Sequence, residues 1–186
     1  MNAQGVVAAV LNRVGTLGPT LGKRSRGELP LLAASQPSAR AAAAALAALP
    51  GQAWRGFNMV VADARDAYFI RGTGLGAPEA LALPAGVSMV TAHDPNDLSS
   101  PRTARHLPRF RAAAVPNPDT GDWAAWEALL ADDSQAETRA DTLCVPELGG
   151  FATGSASLVA LGAGAGRIWR FAAGPANRAP FQDLPL

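Results

Sequence analysis

Apolar positions in this chain fall into short continuous runs and a few helical stripes. Val6-Val7-Ala8-Ala9-Val10-Leu11 is an unbroken, valine-rich run, which predicts a strand buried on both faces. Only Met1-Asn2-Ala3-Gln4-Gly5 precedes it, so the chain is expected to open in the middle of a fold. A polar, glycine-punctuated loop spans Asn12 to Arg24. Ser25-Arg26-Gly27-Glu28 then has the spacing of a capping box, with Leu29, Leu31 and Leu32 starting a buried helical face and Pro30 tolerable only in the first turn. A second helix is predicted from Ser38 through Ala41 to Leu49, closed by Pro50-Gly51. Its alanine run is read as a close-packed helix, with Leu46 and Leu49 as the contact edge.

After Gly56 the period changes. Phe57 to Ala62 and Tyr68 to Ile70 flank Asp63-Ala64-Arg65-Asp66, a predicted hairpin. A loop rich in Gly, Pro and Ala leads to a further predicted strand, Val87-Ser88-Met89-Val90-Thr91. Ser99-Ser100-Pro101 opens a helix, with a serine cap and proline in the first turn, that Pro108 should end or kink. Asp122 is expected to cap a helix whose stripe is Trp123, Trp126, Leu129 and Leu130. A last hairpin joins Ser157–Leu161 to Ile168–Phe171 across a glycine-alanine turn. About six strands and three or four helices, with the hairpins segregated from the helices, favour a mixed α+β fold over a doubly wound sheet.

Composition sharpens this picture. With 186 residues, 48% hydrophobic and 17% charged, the chain is long and apolar enough for a sizeable core in one domain, 1–186, and too apolar to be disordered. A net charge of +1 supplies no chain-wide drive toward nucleic acid or an anionic membrane. No apolar run approaches the roughly 18 residues of a membrane span, and the N-terminus lacks the pattern of a secretory signal. One cysteine, Cys144, rules out an internal disulfide and multi-cysteine metal sites, so a cytoplasmic setting is expected. Lys23 is the lone lysine; the arginine-rich, alanine-rich bias carries no functional weight. Phosphate-loop, dinucleotide, zinc-protease, C-x-x-C and serine-elbow motifs are all missing, so the sequence calls for no metal and no cofactor.

Several features are candidates for chemistry. Asn12-Arg13 sits where the first strand emerges, either as a substrate-facing polar pair or as a turn asparagine beside a solvated arginine. His93, followed by Asp94, is either a base held in one tautomer by a carboxylate or part of ordinary turn chemistry. Arg102, Arg105 and Arg109 share one helical face, which could hold an anion through paired N–H donors or could simply be solvated. Cys144 sits among apolar neighbours and reads as structural. The basic face lacks interleaved aromatics, so it gives no sign of nucleic-acid binding.

The ordered segments Gly5-Val6-Val7-Ala8-Ala9-Val10-Leu11-Asn12, Ser25-Arg26-Gly27-Glu28-Leu29 and Gly56-Phe57-Asn58-Met59-Val60-Val61-Ala62-Asp63 resemble the NRDE family, also called the transport and Golgi organisation family. The Pro84-Ala85-Gly86 strand, the Ser100-Pro101-Arg102 helix start and the Gly150-Phe151-Ala152-Thr153 strand are similar in order and spacing. The resemblance covers essentially the whole chain. It implies an α+β fold like the N-terminal-nucleophile hydrolases, an αββα sandwich of antiparallel sheets, here missing its first strands. It also implies an upstream terminal cysteine and Asn-Arg-Asp-Glu signature, so the chain is expected to be an N-terminally truncated member.

In such hydrolases a terminal Cys, Ser or Thr attacks an amide, its own α-amino group serving as base. The resemblance places Asn12 at an oxyanion position. A second amide position falls at Thr91-Ala92, and an arginine position at Gly154 between Thr153 and Ser155. One oxyanion donor is worth about 2.7–4 kcal/mol, so these replacements imply a noncatalytic chain. Arg13, Arg26, Asn58, His93, Arg102 and Arg105 are carried as substrate-binding candidates. The family's link to haem and acyl-lipid handling makes both candidate ligands, with His93, His106, Met59 and Met89 as the available iron ligands. The alternatives are an amidohydrolase acting in a full-length form and a partner-dependent structural module that self-associates through an exposed sheet edge.

Overall fold

The computed structural model describes residues 1–133, 138–162 and 166–186. They fall into two compact units, Met1–Ser99 and Ser100–Leu186. The class is mixed α+β with antiparallel sheets.

In the first unit, β1 (Val7–Asn12), β2 (Phe57–Ala62), β3 (Ala67–Gly72) and β4 (Glu79–Ala82) form an antiparallel sheet in sequence order. Side chains alternate across a strand, so Met59 and Val61 point to the face that carries α1 (Glu28–Ala34) and α2 (Ala39–Ala47). There Leu29, Ala33, Ala39, Ala42, Ala43 and Leu46 meet Phe57, Met59, Val61 and Ile70 in one buried cluster. The small alanine side chains bring the helix close to the sheet. Phe57 lies across the strand facing it at Gly72, where an added Cβ would come within 2.2 Å of the ring.

Local chemistry explains where these elements begin. Ser38 accepts from the Ala41 amide and caps α2 as expected. The capping box before α1 does not form: Gly27 is the N-cap, the Ser25 hydroxyl accepts from Gly27, and Glu28 pairs with Arg24 instead. Leu31, expected to be buried, is exposed, because α1 turns only Leu29 and Ala33 fully inward. At the β2–β3 turn Asp63 accepts from Arg65 and Asp66 with one oxygen and from the first amide of α2, Ala39, with the other. Burial works against ionisation of Asp63, but those three N–H groups and the Arg65 charge hold its carboxyl below the usual range.

Three strand expectations in this unit need correction, the first being Pro84-Ala85-Gly86, which forms no strand. β1 is an outer strand of its sheet, with Ala9 exposed, so it is not buried on both faces. Residues 87–91 are not a strand. Their neighbourhood is held by side chains: Asn96, in the left-handed region at φ 60°, accepts from the Met89 amide and donates its own amide to the Met89 carbonyl. The strand that does complete the sheet, β4, was not foreseen.

The second unit contains α3 (Pro101–Ala112), α4 (Ala124–Ala131) and a sheet of β5 (Ala156–Leu161), β6 (Arg167–Ala172) and β7 (Gln182–Asp183). Ser100 caps α3 as expected, and the helix runs on past Pro108. Asp122 accepts from Ala124 at 3.3 Å, one residue ahead of the N-cap Trp123. Phe110 of α3 meets Trp126 of α4 edge to face, with centroids 5.2 Å apart. Arg170 of β6 pairs with Glu127 of α4 and lies over the Trp123 ring. The expected strand at Gly150–Thr153 is reduced to a single Leu148–Phe151 bridge. Most of the glycine-alanine turn between β5 and β6 lies outside the described residues.

Candidate functional site

The face of the first sheet opposite the helices carries a polar row. The register sets Leu11 against Asn58, Asn58 against Arg71, and Arg71 against Glu79. Asn58 is fully buried, and its carboxamide is saturated: Nδ2 donates to the carbonyls of Thr91 (2.8 Å) and His93 (2.6 Å), and Oδ1 accepts from Arg13 (2.6 Å). Asp94 closes the network, accepting from Arg13 and Arg71 at 2.7 Å each, while Arg71 also binds Glu79. Burial opposes charge on Asp94, yet the two arginines outweigh it and hold the carboxyl low. Arg71 is pushed up, first by its bond to Glu79 and then by Asp94. Two cations face two carboxylates, and the effect is to fasten the 91–94 segment to the sheet.

A different arrangement surrounds the end of β1. Asn12 accepts from the Arg26 guanidinium through Oδ1, which leaves its NH₂ as the free-standing donor, and Arg26 also donates to the Thr16 carbonyl. Arg55, just before β2, donates to the carbonyls of Gly15, Leu17 and Gly18. Lys23 donates to the Gln52 carbonyl, and Arg24 lies 4.9 Å over the Trp54 ring while pairing with Glu28. Between these groups lies a cleft of about 350 Å³, lined by Lys23, Arg24, Arg26 and Arg55 with no acidic residue in its walls. Among the described residues no carboxylate pairs with Lys23, Arg26 or Arg55. Burial, and then the charge of Arg55, lower the pKa of Arg26, whose Nε is buried without a hydrogen-bond partner.

His93 stands on the 91–99 loop, with Nδ1 3.2 Å from the Ser99 hydroxyl and 3.5 Å from Asp97. The carboxylate beside its ring is therefore Asp97, while Asp94 belongs to the arginines. A catalytic triad needs the serine and the carboxylate on opposite ring nitrogens; here both approach the same one.

In the second unit Arg102 donates to the carbonyls of Thr142 (2.7 Å) and Arg139 (3.1 Å), Arg105 meets Asp141 at 3.3 Å, and Arg109 pairs with Asp132. The guanidinium face of α3 thus binds the protein's own carbonyls and carboxylates, which is neither of the two arrangements expected of it. His106 is fully buried, its Nε2 2.7 Å from the Asp141 carbonyl and its Nδ1 3.5 Å from Arg109. Burial lowers its pKa, the Asp141 contact opposes this, and the surrounding arginines lower it further, so the ring is neutral near pH 7. Cys144 is buried, and its thiol donates to the Leu130 carbonyl at 3.2 Å beside a cleft of about 510 Å³ that also has Arg139, Thr142 and Arg178 in its walls.

The sequence candidates therefore separate into three groups. Asn12 joins Arg26, Arg13 joins Asn58 next to His93, and Arg102 and Arg105 lie in the other unit. Sequence reasoning missed Arg55, Lys23, Arg71 and Glu79. The last two could be found only with the strand register in hand; Arg55, beside Trp54 and ahead of a strand, offered the one local cue. Among the described residues no group of His, Cys, Asp and Glu side chains gathers as metal ligands do, and no helix is long and apolar enough to cross a membrane. No protein-family model matches the chain, and no curated protein matches it significantly.

Proposed function

We propose that this chain is a noncatalytic protein of the NRDE, or transport and Golgi organisation, type, with the sandwich fold of the N-terminal-nucleophile hydrolases, that binds a small metabolite in a cytoplasmic setting. The observation that carries the binding half is the cleft lined by Arg26 and Arg55, where three of the four cations face no carboxylate among the described residues. The noncatalytic half rests on the resemblance, which puts Ala92 and Gly154 where a hydrolase would keep an amide and an arginine. The engaged Cys144 thiol fits the same reading. Incubating the chain with a panel of short N-acyl amides should release no amine above a heat-denatured control. Turnover that disappears in Cys144→Ala would remove the reading. Native mass spectrometry of the protein as isolated should show a small-molecule adduct; bare protein alone would count against metabolite binding.

Haem fits this chain poorly. His106 and Met59 are fully buried, and neither they nor His93 nor Met89 lines either of the two clefts. Haem titration should give no stoichiometric Soret shift. A shift that His93→Ala together with His106→Ala abolishes would restore haem as the ligand.

The second reading, an amidohydrolase in a longer form, is favoured by Asn12, whose oxygen is taken by Arg26 so that its NH₂ remains the group able to donate to an oxyanion. In-frame codons upstream of Met1 for a Met-Cys start would support it, and a stop codon there would remove it. Self-association through β1, an outer strand of its sheet, belongs to the structural-module reading; a sharp monomer peak in light scattering would contradict it.

A further inference from the structure

We propose that the cleft between the 18–27 loop and Arg55 is a site for the phosphoryl group of a small metabolite. This rests on the metabolite-binding reading above and names the chemistry of the ligand. The first argument is charge. Of the four cations in the cleft walls only Arg24 has a carboxylate partner among the described residues, Glu28, so Lys23, Arg26 and Arg55 leave a local excess of three positive charges. Neutral carbonyls orient them without cancelling that charge. A phosphate monoester, at about −1.5 to −2, offsets more of the excess than a single carboxylate does.

The second argument is preorganisation. Arg55 is fixed by the carbonyls of Gly15, Leu17 and Gly18, Arg26 by Asn12 and Thr16, and Arg24 by Trp54 and Glu28. Each guanidinium carries more N–H groups than these contacts use, and forked donors of this kind match phosphoryl oxygens. Holding them in place before binding lowers the ordering cost of association. The loop can curl around these cations because Gly15, Gly18 and Gly22 sit at φ +73°, +81° and +77°, a region where side chains are strained.

The third argument is size and lining. A cleft of about 350 Å³ accommodates a phosphoryl group with a modest organic body. It does not suit single-stranded nucleic acid, which needs exposed aromatic platforms; Trp54, beside the cleft, is only 2% exposed and already covered by Arg24.

Inorganic pyrophosphate is the probe. Titrated into the full chain at low ionic strength and followed by calorimetry and ³¹P line broadening, it should bind saturably at one site. Acetate at the same concentrations should not compete. Arg26→Gln should weaken binding about tenfold or more, and Lys23→Gln, at an exposed position, by about two- to fivefold. Arg40→Gln, an exposed cation away from the cleft, should leave it unchanged, and circular dichroism checks that each variant folds. Lys23→Gln keeps the test decisive if Arg26→Gln disturbs the loop. The proposal is overturned if pyrophosphate does not saturate, if both cleft variants bind as wild type does, if acetate competes equally, or if an oligonucleotide binds more tightly as its length grows. A small-molecule adduct that survives both substitutions would defeat the cleft while leaving the metabolite-binding reading intact.

Discussion

Two arginine-rich places in the first unit follow opposite logic. Around Asn58, Arg13 and Arg71 meet Asp94 and Glu79, so charge cancels within the network and every oxygen of Asp94 has a donor. Around Asn12, the acceptors of Arg26 and Arg55 among the described residues are backbone carbonyls and a carboxamide, and the two charges repel each other. The first arrangement replaces ladder hydrogen bonds and fastens a loop. The second leaves charge uncompensated, as expected where something from outside completes the set. An arginine's role is thus told less by its burial than by whether its acceptors carry a negative charge.

The contrast can be broken by mutation. The largest effect is expected at Asn58, whose replacement by alanine leaves the Thr91 and His93 carbonyls and the Arg13 guanidinium without their partner. Asn58→Ala should cost about 3 kcal/mol in urea unfolding, and an unmoved midpoint would show that the network fastens nothing.

Next come the charges. Arg71→Gln should cost about 1 kcal/mol, since solvent screens a partly exposed pair. Asp94 also sets a pH dependence. Its folded pKa lies below the unfolded value of about 3.9, so its contribution is complete above that value and disappears as pH falls through the folded one. Asp94→Asn should therefore be less stable than wild type near neutral pH and lose less as pH falls below about 4. Asp63, held low in a similar way, titrates in both proteins and drops out of the difference. Unfolding midpoints that decline in parallel would assign the acid sensitivity elsewhere.

The smallest effect is expected at Arg26. Arg26→Gln loses contacts to Asn12 and Thr16 but relieves repulsion from Arg55, so stability should stay within about 0.5 kcal/mol while pyrophosphate binding falls. A stability loss equal to that of Arg71→Gln would make the cleft arginines struts like the others.

Much of the fold was legible in local chemistry. The Ser38 and Ser100 caps, the β2–β3 hairpin and the pairing of β5 with β6 follow from side chains close in sequence to what they bond. The misses have long-range causes. Val87–Thr91 has a strand's composition, but the main-chain groups around it are taken by Asn58, Asn96 and Val14. β4 has poor strand formers in Glu79-Ala80-Leu81-Ala82 and exists because β3 offers it an edge and Arg71 a partner. Of the candidate site, Asn12 and Arg26 were visible as motif residues; their contact, and the arrival of Arg55 from the other side of the helices, were not.

Asp63 has a consequence for assembly order. One carboxylate finishes a tight turn with one oxygen and starts a helix with the other, although the two motifs are separated along the chain by a second turn and a short 3₁₀ segment. That shared carboxylate couples the two motifs, so hairpin and helix should gain amide-exchange protection together, and loosening either end should weaken protection in the other.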